Sequence, residues 1–228
     1  MCSEIFVPGR YWVCYERLEN MGKIEKNKQQ KENSLLKTAF EFFTTKGFSK
    51  TSIADIVGKA GVGKGTFYLY FKDKYDIRNR LISHKSSQIF TSAITGLGKS
   101  LETMSFEDKM VAIIDSILTK FEENQALLMF ISKNLSWGIF KNALSTKSSE
   151  GDVNFSEVYY SMLKESNHEF RDPEVMIFMI IELVSSTCYS AILYKEPCTL
   201  EELKPYLYQN IRAIISQHII DPETESNK

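Results

Sequence analysis

Between Lys31 and Phe71 the chain reads as three short helices, the first two cut off by glycine, and this punctuation favours a tight cluster of helices. Leu35, Leu36, Ala39, Phe40 and Phe43 fall at i, i+1, i+4, i+5 and i+8, which is one face of an α-helix. The stripe stops at Gly47, a residue free to take positive φ. A second helix starts at Thr51 or Ser52, with Ser52 and Asp55 matching the S-x-x-D capping pattern. Ile53, Ile56, Val57 and Ala60 give it a buried stripe, and Gly61 ends it. A third helix runs from Gly63 to about Phe71, and Asp73 caps a fourth that continues towards Ser92.

Downstream the helical pattern goes on, with breaks near Gly96-Leu97-Gly98, from Ser145 to Gly151, at Asp172-Pro173 and at Pro197. Ser105 with Asp108, and Thr199 with Glu202, mark two further capped starts. Pro173 sits in a first turn, where proline is best tolerated. Convincing strand alternation is absent, so the expected fold is all-α with roughly nine helices. The expected layout is an N-terminal extension over 1–22, disordered or a start-site artefact, then a helix-turn-helix domain over 27–88. A helical domain over 89–220 and a tail over 221–228 complete it.

The formal net charge of −1 conceals a strong asymmetry. Met21 to Arg80 holds 13 Lys and Arg against 6 Asp and Glu, leaving 15 basic and 23 acidic residues for the rest. A basic block joined to an acidic body suits a protein that touches a polyanion with one end only. Hydrophobic content of 43% and charged content of 25% are ordinary for a globular chain and argue against general disorder. Cys2, Cys14, Cys188 and Cys198 show neither C-x-x-C spacing nor a companion histidine cluster, so they read as reduced thiols and neither metal nor cofactor is expected. Val175 to Tyr194 is long and apolar, but Glu182 at its middle favours a buried helix over a membrane span. A cytoplasmic protein is expected.

The run from Thr51 to Lys74 forms two helices joined by a tight turn, a unit that places its second helix in the major groove of DNA. Gly61 permits the turn, Val62 plugs the interhelix core, and Gly65 lets the second helix approach the duplex without a Cβ in the way. Lys64 can reach a guanine edge or a phosphate, and Thr66 can offer a methyl to thymine or a hydroxyl to a base or phosphate. Tyr68 and Tyr70 carry phenols able to hydrogen-bond phosphate, although Tyr70 equally suits core packing. Lys72 and Lys74 bring positive charge beside the start of the fourth helix, itself an anion site. Phe67, Phe71, Ile53, Ile56 and Val57 read as core, and Lys59 as a solvated charge.

Gly47-Phe48, Thr51, Ile53, Ala54, Ala60-Gly61-Val62, Lys64-Gly65-Thr66-Phe67-Tyr68, Tyr70-Phe71 and Lys72-x-Lys74 together resemble the N-terminal domain of the TetR family of bacterial regulators. The resemblance runs without a gap from about Lys31 to Leu81. It implies that Thr51 or Ser52, Tyr68 and Lys74 hold phosphates while Lys64, Gly65 and Thr66 face bases. Gly63 departs from the family, which often has serine there; at an N-cap glycine costs only a few tenths of a kcal/mol relative to serine.

The resemblance also implies a homodimer paired through the two C-terminal helices, a double-stranded DNA operator of near-palindromic form, and a small-molecule effector. Leu200, Leu203, Leu207, Ile211, Ile214, Ile215 and Ile219 form a stripe for that pairing or, alternatively, for closing the monomer core. Candidate effector contacts are Phe130, Trp137, Phe140, Tyr159, Tyr160, Met176 and Met179, each alternatively plain core. Glu182 within an apolar helix calls for a cationic ligand, the hydroxyls of Ser185, Ser186 or Tyr189, or water at a dimer rim. The functional expectation is a repressor released from its operator by a hydrophobic effector, with an activator or architectural DNA-binder of the same fold as the alternative. An enzyme acting on a hydrophobic molecule is disfavoured: His84, His168 and His218 lie in separate segments, and no phosphate loop or nucleophile elbow appears.

Overall fold

The computed structural model describes residues 5–7, 11–13, 23–132 and 155–220. Helix α1 (Lys23–Thr45) buries Leu35, Ala39 and Phe43 on one stripe, starting well before the pattern that announced it. The amides of Lys46 and Gly47 both donate to the Phe42 carbonyl, and Gly47 adopts φ +86°. Helix α2 (Ile53–Ala60) opens on a full capping box. The Ser52 amide donates to Asp55 Oδ2 at 2.8 Å, and the Asp55 amide donates to Ser52 Oγ at 3.1 Å. Such caps contribute roughly 1 kcal/mol. At the other end Gly61 takes φ +69°, and its amide bonds the Val57 carbonyl.

Helix α3 (Lys64–Tyr70) follows after three residues, anchored by Phe67, which is fully buried. Helix α4 (Lys74–Leu97) opens on Asp73, whose carboxylate accepts from the amides of Tyr75 and Asp76, both at 2.8 Å. It then joins two hydrophobic clusters. Ile77, Leu81, Ile82 and Ile89 pack with α1, α2 and α3 in a head core, whereas Phe90, Ala93 and Ile94 pack in a body core.

A 3-10 turn over Gly98–Thr103 leads to α5 (Phe106–Glu123), capped by Ser105 as its pattern implies. A break then falls at Asn124, which the spacing of glycines and prolines did not signal. Its amide closes α5 on the Lys120 carbonyl, while its side-chain oxygen accepts from the Leu127 amide in α6 (Gln125–Ser132). Helices α7 (Phe155–Glu165), α8 (Pro173–Tyr194) and α9 (Leu200–His218) complete the nine α-helices among the described residues. Pro173 stands in the first turn of α8, and Thr199 and Glu202 form a capping box for α9.

Outside these helices the one sheet among the described residues is a short antiparallel ribbon pairing β1 (Ile5–Val7) with β2 (Tyr11–Val13), where no strand was expected. Its three-residue strands are too short for alternation to show.

The α9 stripe closes the monomer core. Leu200, Leu207, Ile211 and Ile215 are buried within the single chain, with Leu203, Ile214 and Ile219 packed at its margin. Of the stripe's two readings, closing the monomer core holds for these four buried residues. Helix α8 is the one described helix long and apolar enough to cross a bilayer, and it lies against α9, α6 and α5. Met176, Ile177, Ile180, Cys188, Ala191 and Ile192 face inwards, while Val175, Met179 and Tyr194 remain exposed.

Candidate nucleic-acid interface and effector cavity

Helix α3 projects from the head with one side anchored and the other open. Phe67 holds the buried side, its ring 5.5 Å from that of Phe71. Lys64, Gly65 and Tyr68 are exposed and Thr66 is half-buried, so residues expected to face DNA share the open side of a short helix. Tyr68 is 59% exposed. Lys72 is also exposed, its amide donating to Asp76 Oδ2 at 2.8 Å.

Four of the expected contacts hydrogen-bond within the protein. Thr51 is only 1% exposed, and its hydroxyl donates to the Gly47 carbonyl at 2.9 Å. It therefore fastens the α1–α2 turn, an intramolecular role beside the phosphate contact expected of Thr51 or Ser52. Ser52, exposed at the start of α2, stands nearer solvent, with its hydroxyl donating to Asp55 Oδ2 at 2.7 Å. Lys74 is half-buried, and its ammonium donates to the carbonyls of Phe48 and Thr51, both at 2.9 Å. Two of its three N–H donors are thus taken by the backbone, and one remains for an anion. Tyr70 is half-buried and donates to the Lys28 carbonyl at 3.0 Å, joining α3 to the first turns of α1. Of its two readings the structure favours packing.

Two features went unread in the sequence. Leu69 points its isobutyl group into solvent from the open side of α3. It follows two residues after the buried Phe67 and four after Gly65, a spacing that could have identified it. Arg78 lies over the rings of Phe48 and Tyr75, at 4.8 and 5.2 Å, beside Lys74 over Phe48 at 4.4 Å. These cation–π contacts hold a basic, aromatic corner at the start of α4. Lys59, expected to be solvated, forms an exposed ion pair with Glu41. Asp55 is held below the ordinary carboxylate range, first by the Ser52 hydroxyl and then by the Ser52 amide.

A cavity of about 170 Å³ lies where the two cores meet. Ile89 and Ile131 reach it from the head cluster, whereas Phe90, Ile113, Leu118, Met162 and Ile180 reach it from the body. Its polar lining consists of Ser86, Ser87, Ser132, Ser185, Tyr159 and Cys188. No lysine, arginine, aspartate, glutamate or histidine stands among the described lining residues. The Tyr159 hydroxyl is already engaged, donating to the Pro173 carbonyl at 2.8 Å. Burial pushes the Cys188 thiol up to about 11, so it is protonated at neutral pH.

Most of the described residues expected to contact an effector do not line this cavity. Phe130 inserts into the head core, edge-on to Phe40 at 5.3 Å and parallel to Phe43 at 6.3 Å. Met176 is buried in the body core off the cavity wall, and Tyr160, Met179 and Glu182 are exposed. The cavity side of α8 is Ile177, Ile180, Ile181, Val184, Ser185 and Cys188, a 3.6-residue stripe that leaves Met176, Met179 and Glu182 on other sides. Met110 and Met162 supply the thioethers instead, and Tyr159 does line the space. Trp137 and Phe140 fall outside the described residues. Glu182, being exposed, is not a buried carboxylate in need of a cation.

Comparison with known proteins finds the same head. The family described as bacterial regulatory proteins, tetR family, matches residues 35–81. The helix-turn-helix transcriptional regulator YvdT of Bacillus subtilis is 44% identical over 63 residues, covering 26% of this chain and 32% of that protein. The fatty acid metabolism regulator protein of Bacillus subtilis is 28% identical over 146 residues, covering 64% of this chain and 59% of that protein. The chain therefore spans less than two thirds of the length of either relative. The crystal structure of the transcriptional regulator FadR from Bacillus subtilis, in complex with stearoyl-CoA, superimposes with a TM-score of 0.56 at 18% identity. That match covers 81% of this chain and 97% of FadR and expresses a shared fold. Residues 35–81 thus match the tetR family of bacterial regulatory proteins, and the chain shares its fold with FadR.

Proposed function

We propose that this chain is a ligand-responsive transcriptional regulator, a repressor that leaves a near-palindromic operator when an apolar effector enters the cavity. The observation that carries the reading is the open side of α3, where Lys64, Gly65 and Tyr68 are exposed on a helix anchored from behind by Phe67. A helix of this kind fits the major groove, and the positive charge between Met21 and Arg80 supplies attraction to phosphates. No step of bond-making or bond-breaking is assigned to the protein, and its place of action is the bacterial cytoplasm.

A homodimer supports two-fold operator reading, with recognition helices about one DNA turn apart. Helix α8 is apolar on nearly all sides, and a helix of that composition is ordinarily covered all round. Val175, Met179 and Tyr194 are the large apolar residues it leaves exposed, and the outer side of α9 adds Tyr206. We assign pairing to these outward sides of α8 and α9. Light scattering should give twice the chain mass, and Met179→Glu should shift it towards monomer.

We assign the effector to the uncharged cavity, whose lining suits a hydrocarbon chain and disfavours a buried ion. Its position against both cores supports coupling, because an occupant that favours one packing of α4 and α6 changes the pose of the head. The resemblance to a fatty acid metabolism regulator and to FadR holding stearoyl-CoA favours an acyl chain over a compact aromatic. Gel-shift titration against DNA flanking the gene, across a salt series and with acyl-CoA added, tests the whole reading. Sequence-selective binding that weakens with salt and is released by acyl-CoA is expected, and a protein without sequence preference in that region or in random-oligonucleotide selection would refute it.

A further inference from the structure

Leu69 is 81% exposed, the most exposed of the large apolar side chains among the described residues. Two residues of α-helix turn through about 200°, so the full burial of Phe67 directs Leu69 away from the head core. The hydrogen bond from Tyr70 to the Lys28 carbonyl, 3.0 Å long, ties this helix end to α1. Gly65 precedes it by four residues on the same stripe, and a Cβ there would meet nothing within 4 Å. The stripe is therefore bare backbone for one turn and then isobutyl. Lys64 and Tyr68, also four apart and exposed, form the adjacent stripe. Helix α3 thus offers two neighbouring ridges, one bearing hydrogen-bonding groups and the other apolar.

Among the groups displayed in the major groove, the C5-methyl of thymine is the apolar one. Water leaves both that methyl and an exposed isobutyl group when they meet, which favours the contact. We propose that Leu69 is a specificity-determining residue that reads one thymine C5-methyl in each half-site, beside the base edge taken by Lys64. This inference rests on the DNA-binding reading above. It adds a definite preference to it: a thymine in the half-site selected for its methyl alone.

The test removes only that methyl. An operator obtained by random-oligonucleotide selection with the wild-type protein is resynthesised with each thymine replaced in turn by deoxyuridine, symmetrically in both half-sites. At one position the wild type should lose about fourfold in affinity per half-site, about sixteenfold for the two-fold site. Leu69→Ala should bind the unmodified operator with a comparable loss and be indifferent to deoxyuridine at that position, while Leu69→Met should retain part of the dependence. Because Leu69 is exposed, both variants should keep the wild-type urea midpoint. Indifference of the wild type to every replacement, or undiminished sensitivity in Leu69→Ala, would overturn the assignment and leave the regulator reading intact. A wild type that selects no sequence at all would overturn both.

Discussion

The phenol of Tyr70, at the end of α3, donates to the backbone carbonyl of Lys28 at 3.0 Å, so α3 is latched to a part of α1 that lies upstream of the family match. Tyr70→Phe keeps the ring and removes the latch. It should lower stability by about 1 kcal/mol in urea unfolding. DNA affinity measured well below the unfolding transition should change little. A uniform loss of affinity at unchanged stability would instead mark Tyr70 as a phosphate contact.

Lys64 and Lys74 should separate cleanly in a combined binding and stability experiment. Lys64 is exposed, so Lys64→Ala should relax base preference and leave the urea midpoint where it was. Lys74 ties the carbonyls of Phe48 and Thr51 to the start of α4. Its replacement by alanine should weaken binding to all sequences, reduce the salt slope by about 1 for each half-site phosphate it holds, and destabilise the head by roughly 1–3 kcal/mol. Identical behaviour of the two variants would refute this division of labour.

Phe130 belongs to α6 by sequence and to the head by packing, lodged between Phe40 and Phe43 of α1. Phe130→Ala should cost about 3–5 kcal/mol, as truncation of a buried aromatic generally does. Phe130→Leu should cost less. Calorimetry gives the check, and a near-neutral alanine variant would show that α6 is not braced on α1.

Acid should loosen the helix starts. The carboxyls of Asp55 and Glu202 are held low by hydrogen bonds from Ser52 and Thr199, and that of Asp108 chiefly by its bond to Arg212. A carboxyl whose folded value is depressed stabilises the fold above its unfolded value and loses that contribution as pH falls through the folded one. The ordinary values are 3.8 for aspartate and 4.5 for glutamate, so the urea midpoint should be flat near neutrality and fall below about pH 4.5. Asp55→Asn should flatten part of that fall. An unchanged acid limb in the variant would count against the capping box as its source.

The head was readable in the sequence because its signals are local. Ser52 with Asp55, Gly61 at positive φ and Asp73 at the start of α4 each act within four residues, and each sits where its chemistry requires. Thr51 was harder, because whether a hydroxyl turns to DNA or to the Gly47 carbonyl depends on how α1 ends above it. The body was readable only as a set of helices. An apolar helix such as α8 has no polar side to reveal which stripe faces the cavity, so Met176 and Met179 carried no less promise than Ile177 and Ile180. The reach of Phe130 into the head likewise follows from the break at Asn124, marked by neither glycine nor proline.

Helix α4 crosses from one core to the other without interruption, with Lys74 at its head end and Phe90 among the first of its residues to enter the body core. Sixteen residues of α-helix separate them, a rod of about 24 Å. A tilt of about 5° pivoting at Phe90 carries Lys74 sideways by about 2 Å, enough to break a hydrogen bond of ordinary length. Mechanically the helix is a lever with its fulcrum beside the cavity, so the pose of the head follows angles set in the body.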